Sequence, residues 1–240
     1  MKVHVLLKKE ELDGERLTGK VVVVLDVLFA TSSIVAALAA GARSVVPALD
    51  RESCLAAAKG EAEGSYILSG ELNAQTLEGF TAPTPLALAA QPIRGRTLFY
   101  ATTNGTVALH KAAEAEHVYA AALLNGRAVV ERLIAEHAGA TVLVVCSGSI
   151  DNFNLEDFYG AGHLVSTLVQ RAGSAVELSD AARAASLLHD RTDALECLAS
   201  SRVGRMMQAR GAVHEVEYCA RANVFEVVPK LFDGRLENHR

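Results

Sequence analysis

Three polar segments, each following a short apolar run, carry the residue types that chemistry needs. The first begins at Asp26, which ends the run Val21 to Leu25 and leads into Val27-Leu28-Phe29-Ala30-Thr31-Ser32-Ser33. A carboxylate at a strand end beside a hydroxyl-rich helix start can bind Mg2+, while Thr31, Ser32 and the neighbouring N–H groups face a phosphate. The same residue types also serve as ordinary turn and helix caps. The second is Thr102-Thr103-Asn104-Gly105-Thr106, with three hydroxyls, an amide and a glycine in one turn. Such a loop can cradle an anion, because Gly105 admits close backbone approach and the hydroxyls donate without adding charge. The third runs Cys146-Ser147-Gly148-Ser149, a tight polar turn that leaves space for a ligand, and then reaches Leu155-Glu156-Asp157. Acids at a helix start are electrostatically favoured and can ligate a hard cation. Adjacent helical residues point about 100° apart, so one acid is expected to be the direct ligand and the other to hold a partner residue.

The remaining reactive side chains are less suggestive. None of the eight histidines falls in H-E-x-x-H or another metal spacing, and His163, after Gly160-Ala161-Gly162, is the single one worth testing as an acid or base. Cys146 sits where a nucleophile could sit, but no C-x5-R loop follows, since the residue six positions on is Asn152. Cys54, Cys146, Cys197 and Cys219 are scattered without a C-x-x-C pair, the pattern of reduced, buried thiols.

These segments need a scaffold of strands and helices. Val3 to Leu7, Lys20 to Asp26, Ser44 to Ala48, Tyr66 to Ser69, Thr97 to Ala101, His117 to Ala120 and Thr141 to Cys146 read as strands. Ser32 to Ala40, Arg51 to Lys59, Thr106 to Glu114 and Gly126 to His137 read as helices between them. From Leu155 to Arg210 the pattern is predominantly helical, with Ser179 and Asp180 placed to cap a helix through Leu188, and Val224 to Val228 predicts one returning strand. The expected fold is therefore α/β: a mostly parallel or mixed sheet covered by helices, with a helical segment and a returning strand in the C-terminal third. One α/β domain over residues 1–240, or two closely joined lobes, accounts for the length. Ala30 to Leu38 also aligns without gaps with Ala101 to Leu109. Either an old duplication or two uses of one strand–hydroxyl–helix device would produce that match.

The net charge of −5 with dispersed basic residues argues against nucleic acid as a partner. No apolar run approaches the ~20 residues of a membrane span, so no membrane association is expected. The N-terminal segment lacks the features of a secretory signal, which predicts a cytoplasmic protein. Alanine-rich helical faces predict a homo-oligomer.

The segments also carry a family resemblance. Asp26 to Ser32 continuing through Gly41-Ala42, Thr102 to Thr106, Leu155-Glu156-Asp157 with Gly160-Ala161-Gly162, and Ser179-Asp180 together resemble the 2-phosphosulfolactate phosphatase family over nearly the whole chain. Ser69-Gly70-Glu71 and Val227-Val228-Pro229 add to the match. The resemblance implies a Mg2+-dependent phosphatase that converts 2-phospho-3-sulfolactate, a small phosphorylated substrate, to 3-sulfolactate and phosphate on a route toward coenzyme M. It implies Asp26, Glu71, Glu156 and Asp157 as the catalytic acids, with Asp26, Glu71 and Asp157 as metal ligands. Thr31, Ser32, Thr102, Thr103, Asn104, Gly105, Thr106, Ser147 and Gly148 would line the substrate.

The chain departs from the family pattern at two cations. Phe29 stands where an Arg usually precedes Ala-Thr, and Gly70-Glu71-Leu72 replaces Gly-Glu-Arg; Pro83-Thr84-Pro85 also replaces Asn-Ser-Pro. Each lost charge-assisted contact is worth roughly 1.5–3 kcal/mol. The departures leave room for a phosphatase with a shifted substrate, or for a non-catalytic relative binding a small molecule or a protein. Retention of Asp26, Glu71, Asn104, Glu156 and Asp157 favours the enzyme.

Overall fold

The computed structural model describes residues 1–239. Its first part alternates strand and helix: β1 (Lys2–Leu6), β2 (Lys20–Leu25), α1 (Ala30–Ala39), β3 (Ser44–Ala48), α2 (Arg51–Ala58), β4 (Tyr66–Leu72), β5 (Gln75–Thr76), α3 (Pro85–Ala89), β6 (Thr97–Ala101), α4 (Gly105–Ala112), β7 (His117–Ala121), α5 (Gly126–Glu136) and β8 (Thr141–Cys146). The last third is mostly helical, with α6 (Leu155–Ala172), β9 (Glu177–Leu178), α7 (Asp180–His189), α8 (Ala194–Ser200), α9 (Arg202–Ala209) and α10 (Val213–Cys219). It closes in a hairpin of β10 (Pro229–Phe232) and β11 (Arg235–Asn238).

All eleven strands join one mixed sheet in the order β5-β4-β6-β3-β11-β10-β7-β2-β8-β1-β9. Two blocks within it are parallel, β7-β2-β8-β1-β9 and β3-β6-β4. The C-terminal hairpin stitches them together through three antiparallel pairings: β7 with β10, β10 with β11, and β11 with β3. Three reversals leave the blocks running in opposite senses along the sheet. Twist of about 20–25° per neighbouring pair accumulates over the five steps from β2 to β6, and the loops after β2, β4, β6 and β8 meet at one pocket.

Side-chain alternation sorts the core into layers. On β2, Val21, Val23 and Leu25 face a cluster shared with α5 and α6, while Val22 and Val24 face a second cluster with Ile34, Leu98, Tyr100 and Leu109. On β6, Leu98 and Tyr100 join that second cluster, and Phe99 and Ala101 pack with Cys54 and Ala58 of α2. Helices α1 and α4 contact strands of both blocks, α1 on β3 and β7 and α4 on β2, β3 and β7. They form the filling between the blocks, which fixes their N-termini at the pocket. Near-continuous apolar runs such as Val21 to Leu25 are what a strand covered on both faces requires.

Two expectations differ from the structure in detail. The segment Val224 to Val228 joins no strand ladder; instead the Phe225 N–H donates to Leu124 O (2.9 Å) and Asn125 Nδ2 to Val227 O (2.9 Å). The returning element is the hairpin that follows it, turned by Asp233 and Gly234 with φ of 45° and 74°. An Asp-Gly pair with both φ values positive is a strong hairpin signal, and it lies downstream of the β-branched run. The gapless match of Ala30–Leu38 with Ala101–Leu109 is also offset from the structural correspondence. Thr31 Oγ1 accepts from the Asp26 N–H (3.0 Å), and Thr106 Oγ1 accepts from the Thr102 N–H (3.0 Å). Thr31 thus plays the part of Thr106, whereas the alignment pairs it with Thr102.

Ser179 caps α7 as expected, its side chain accepting from the Ala182 N–H. All four cysteines are free and buried. Among the described residues, no helix is long and apolar enough to cross a membrane.

Candidate active site

A pocket of about 380 Å3 opens where the strand ends converge. Asp26 enters it from the end of β2, Glu71 from β4, Thr102, Thr103 and Asn104 from the turn between β6 and α4, and Ser149 and Ile150 from the loop after β8. Ligands of open α/β folds bind beyond the carboxyl ends of strands, because neighbouring loops diverge there and helix N-termini point inward.

The four acids have different surroundings. Asp26 is buried, and its Oδ1 accepts from the Ala30 N–H at 3.3 Å. Its Oδ2 faces Gly105, where a Cβ would lie only 2.7 Å away, so the bare glycine makes room for the carboxylate. Burial pushes the Asp26 carboxyl up to about 7; the Ala30 N–H opposes the rise, the charges of Glu71 and Glu156 add to it, and Lys9 offsets part of it. Glu71 is committed to its neighbours: Oε1 accepts from the Thr103 N–H (2.7 Å), and Oε2 accepts from the Ala74 N–H (2.6 Å) and the Thr103 hydroxyl (3.1 Å). It clamps the β4–β5 turn to the β6–α4 turn.

Asp157 does a similar job deeper in the fold. Its Oδ1 accepts from the Val27 N–H (2.8 Å) and its Oδ2 from the Gly148 N–H (3.1 Å), tying the loops after β2 and β8 to the first turn of α6. Burial and the charges of Asp26 and Glu156 raise its carboxyl well above the usual range, against those two N–H bonds. Glu156, one residue earlier, is buried with neither carboxylate oxygen in a hydrogen bond. Burial raises its carboxyl; its own backbone N–H, the Ser201 hydroxyl and the Arg202 charge oppose the rise, the first two without reaching hydrogen-bond geometry. Neither Glu156 nor Asp157 lines the pocket. Gly160 allows α6 this close approach, since a Cβ there would lie 2.8 Å from Val27 Cγ2.

The hydroxyls divide in the same way. Thr31 both accepts from the Asp26 N–H and donates to Asp26 O (3.0 Å each), and Ser32 donates to Val27 O (2.8 Å). Thr102 Oγ1 accepts from the Thr106 N–H (3.2 Å), and Thr106 Oγ1 donates to Thr102 O (2.9 Å). Ser147 is buried with its hydroxyl unpartnered, and Gly148 turns the chain at φ 62° beneath the pocket loop. Of the anticipated substrate residues, the structure places Thr102, Thr103 and Asn104 on the pocket wall. Gly105 packs under Asp26, and Thr31, Ser32, Thr106, Ser147 and Gly148 lie behind the wall.

Sequence reading missed several wall residues. Asn104 is steered by Lys9, a buried lysine whose Nζ donates to Asn104 Oδ1 (3.0 Å) and Ser147 O (3.2 Å) and pairs with Glu10 (3.1 Å). With its oxygen so held, the Asn104 amide turns its N–H groups toward Ser149 and the pocket. Arg202, Val203, Met206, Met207 and Arg210 form one wall from α9 and its C-cap, and their i, i+1, i+4, i+5, i+8 spacing is a helix stripe readable in the sequence. Thr84 is set by Glu215, which accepts from the Thr84 hydroxyl (2.5 Å) and the Leu86 N–H (3.0 Å). Phe29 lies on the wall as an apolar surface, while Leu72 is exposed and outside it.

Which carboxylate oxygens are free decides how a Mg2+ ion could sit. Among the described residues, no three His, Cys, Asp or Glu side chains converge as a metal cluster. Both oxygens of Asp157 and of Glu71 already accept hydrogen bonds, whereas Asp26 Oδ2 faces the cradle over Gly105. Mg2+ at phosphate-handling sites commonly takes one or two carboxylates and fills its shell with phosphate oxygens and water. The donor set fits an ion held by Asp26 in that manner.

His163 and Cys146 stand apart from this chemistry. His163 is buried against Gly126 between His189 (3.2 Å) and Asn223 (3.2 Å), and burial pushes it down to about 4. Burial raises the Cys146 thiol well above its ordinary value, which disfavours the thiolate a nucleophile needs.

The whole chain also resembles known proteins. The family model described as 2-phosphosulpholactate phosphatase matches residues 6–234. A protein of Clostridium beijerinckii is 30% identical over 238 residues, covering 98% of this chain and 99% of the relative. One of Carboxydothermus hydrogenoformans is 36% identical over 238 residues, covering 98% and 96%. Another, of Clostridium perfringens, is 31% identical over 244 residues, covering 99% and 96%. Each of the three bears the name "Probable 2-phosphosulfolactate phosphatase".

Proposed function

This chain belongs to the 2-phosphosulfolactate phosphatase family, and from that premise we propose that it hydrolyses a small anionic phosphate monoester with Mg2+, 2-phospho-3-sulfolactate being the leading substrate. Water adds to phosphorus, the ester C–O–P linkage breaks at its P–O bond, and the alcohol, here 3-sulfolactate, leaves with a proton alongside inorganic phosphate. The observation that carries the reading is the meeting of Asp26, with one oxygen free of N–H partners, and the Thr103–Asn104 turn in a single pocket.

Each residue has a definable part. Asp26 would hold the ion through Oδ2, and Mg2+ there supplies charge neutralisation and Lewis-acid polarisation of the phosphoryl oxygens. Asn104, its oxygen anchored by Lys9, presents N–H donors to the equatorial oxygens, where charge is spread in the transition state. Glu71 fixes the Thr103 N–H and hydroxyl, so the turn does not reorganise when the ester binds. Asp157 keeps Val27 and Gly148, and with them the loops that bear Asp26 and Ser149, at a fixed separation.

The test is phosphate release from a panel of monoesters including 2-phosphosulfolactate, with Mg2+ or EDTA, for the wild-type protein and Asp26→Asn. Metal-dependent release that falls by at least about 100-fold in Asp26→Asn, in line with loss of an electrostatic catalytic group, is the expected result. Folded, Mg2+-supplied protein that turns over none of the esters would leave a binding protein on a phosphatase fold.

A further inference from the structure

We infer that Arg202 and Arg210 form the subsite that reads a second anionic group on the carbon body of the substrate; the phosphatase reading supplies the ester, and the arginines supply its selection. The two residues stand at the first position and the C-cap of α9, and both line the pocket. Each is oriented by an uncharged acceptor. Arg210 Nη1 donates to Ala74 O at 2.7 Å, and Arg202 Nη2 meets Asn154 Oδ1 at 3.4 Å. Neither forms an ion pair among the described residues, in contrast to Arg127, Arg132 and Arg171, which pair with Glu226, Glu136 and Glu131. Arg210 thus holds its charge at the pocket unpaired, and Arg202, although it lies close enough to the buried Glu156 to be felt there, forms no ion pair with it and keeps its fork on the pocket wall.

Between them Val203, Met206 and Met207 present an apolar strip from the same helix face. A cation at each end of an apolar strip matches an acid-bearing carbon skeleton, since a guanidinium forks onto a carboxylate or sulfonate through two N–H donors. Asn104 and Asp26 belong to the strand-end side of the pocket, where the phosphoryl group is handled, so the α9 arginines are available to the remainder of the ester. They also explain how the site manages with Phe29 and Leu72: the cations come from a helix distant in sequence, and Phe29 offers apolar wall in place of charge. Arg202 and Arg210 are exposed, so replacing them leaves the core intact.

The test compares two esters of a secondary alcohol, 2-phosphosulfolactate with its two extra acid groups and isopropyl phosphate with none, in wild type, Arg202→Gln and Arg210→Gln. The ratio of kcat/KM for the first ester over the second is expected to fall about 10- to 100-fold in each variant, carried mainly by KM. A ratio unchanged in both variants overturns the inference, because the arginines would then serve the phosphate or nothing. Calorimetric titration of 3-sulfolactate separates this from failure of the phosphatase reading. If no ester is hydrolysed, yet wild type binds 3-sulfolactate and the variants bind it at least ten-fold more weakly, the recognition subsite stands and the hydrolase falls. Equal affinity in all three proteins, or no binding by wild type, refutes the subsite.

Discussion

Glu156 offers a prediction whose sign is set by its surroundings. The side chain is 1% exposed in the first turn of α6, and neither carboxylate oxygen has a hydrogen-bond partner. A buried polar group without a partner costs about 1–3 kcal/mol. An acid in the first turn of a helix returns about 0.3–1 kcal/mol through the helix dipole. Glu156→Met, similar in length and volume, should therefore stabilise the protein by about 1–2 kcal/mol near neutral pH. At this chain length each kcal/mol moves Tm by about 2–4 °C, so a rise of about 2–8 °C is expected. The gain should depend on pH. Burial raises the folded-state carboxyl above its unfolded value near 4.5, so the native state binds the extra proton and wild-type stability falls as pH climbs above that value. The variant escapes this penalty, and its advantage should be larger at pH 8 than at pH 5. Thermal melts followed by circular dichroism at both pH values, with Glu156→Gln as the isosteric neutral control, make the measurement. Phosphate release should persist in Glu156→Met, because the residue does not line the pocket. A Tm lowered at both pH values would refute the reasoning, since it would mean that the carboxylate is satisfied in solution.

Two further outcomes follow from close contacts and burial. Gly105→Ala puts a Cβ hard against Ala30 Cβ and 2.7 Å from Asp26 Oδ2, so the first turns of α1 and α4 must part and carry Asp26 with them; displacing a reacting group by about 1 Å costs on the order of 100-fold, so kcat should drop by at least about that factor while the helical circular dichroism signal persists, and full activity would show that Asp26 is not held as described. His163 is neutral in the fold, pushed down to about 4 from 6.5 by burial. The unfolded chain therefore binds more protons between these values, and stability present above pH 6.5 is lost as pH falls toward 4, by about 3 kcal/mol in total. In urea denaturation the difference between pH 7 and pH 4.5 should shrink in His163→Gln relative to wild type, and an unchanged difference would place the acid sensitivity elsewhere.

The sheet and most helices were legible because their signals are local. Val21 to Leu25 and Thr97 to Ala101 announce strands by composition, and Asp26 and Thr102 announce strand ends by ending apolar runs. Glu71 and the Thr103–Asn104 turn could be anticipated to meet, because they follow the parallel neighbours β4 and β6, whereas their meeting with Asp26 was not legible, since β2 belongs to the block that runs in the opposite sense. Two further things were not legible. Lys9 and α9 reach the site through contacts far apart in sequence, and nothing near Arg202 or Arg210 in the chain says which pocket they face. The closing hairpin lies downstream of the β-branched Val224 to Val228 run, at the Asp233-Gly234 turn that dictates where two strands can fold back.

A further illegible feature is the division of labour among like residues. Asp26 and Asp157 are both buried, both raised by burial, and both sit beside a strand-end loop. They differ in how many backbone N–H groups each accepts from. Asp157 uses both oxygens, on Val27 and Gly148, so its acceptors are committed to fixing two loops. Asp26 uses Oδ1 on Ala30 and turns Oδ2 to the cradle over Gly105. The threonines split by the same rule: Thr31 and Thr106 close hydrogen-bonded rings with their own turns, whereas Asn104 has its acceptor occupied by Lys9 and its donors turned outward. A polar residue contributes chemistry in proportion to the donors and acceptors that the fold leaves unused. Type and spacing nominate candidates such as Asp26 and Asp157 equally, and only the hydrogen-bond partners separate the group that can meet a substrate from the group that holds it in place.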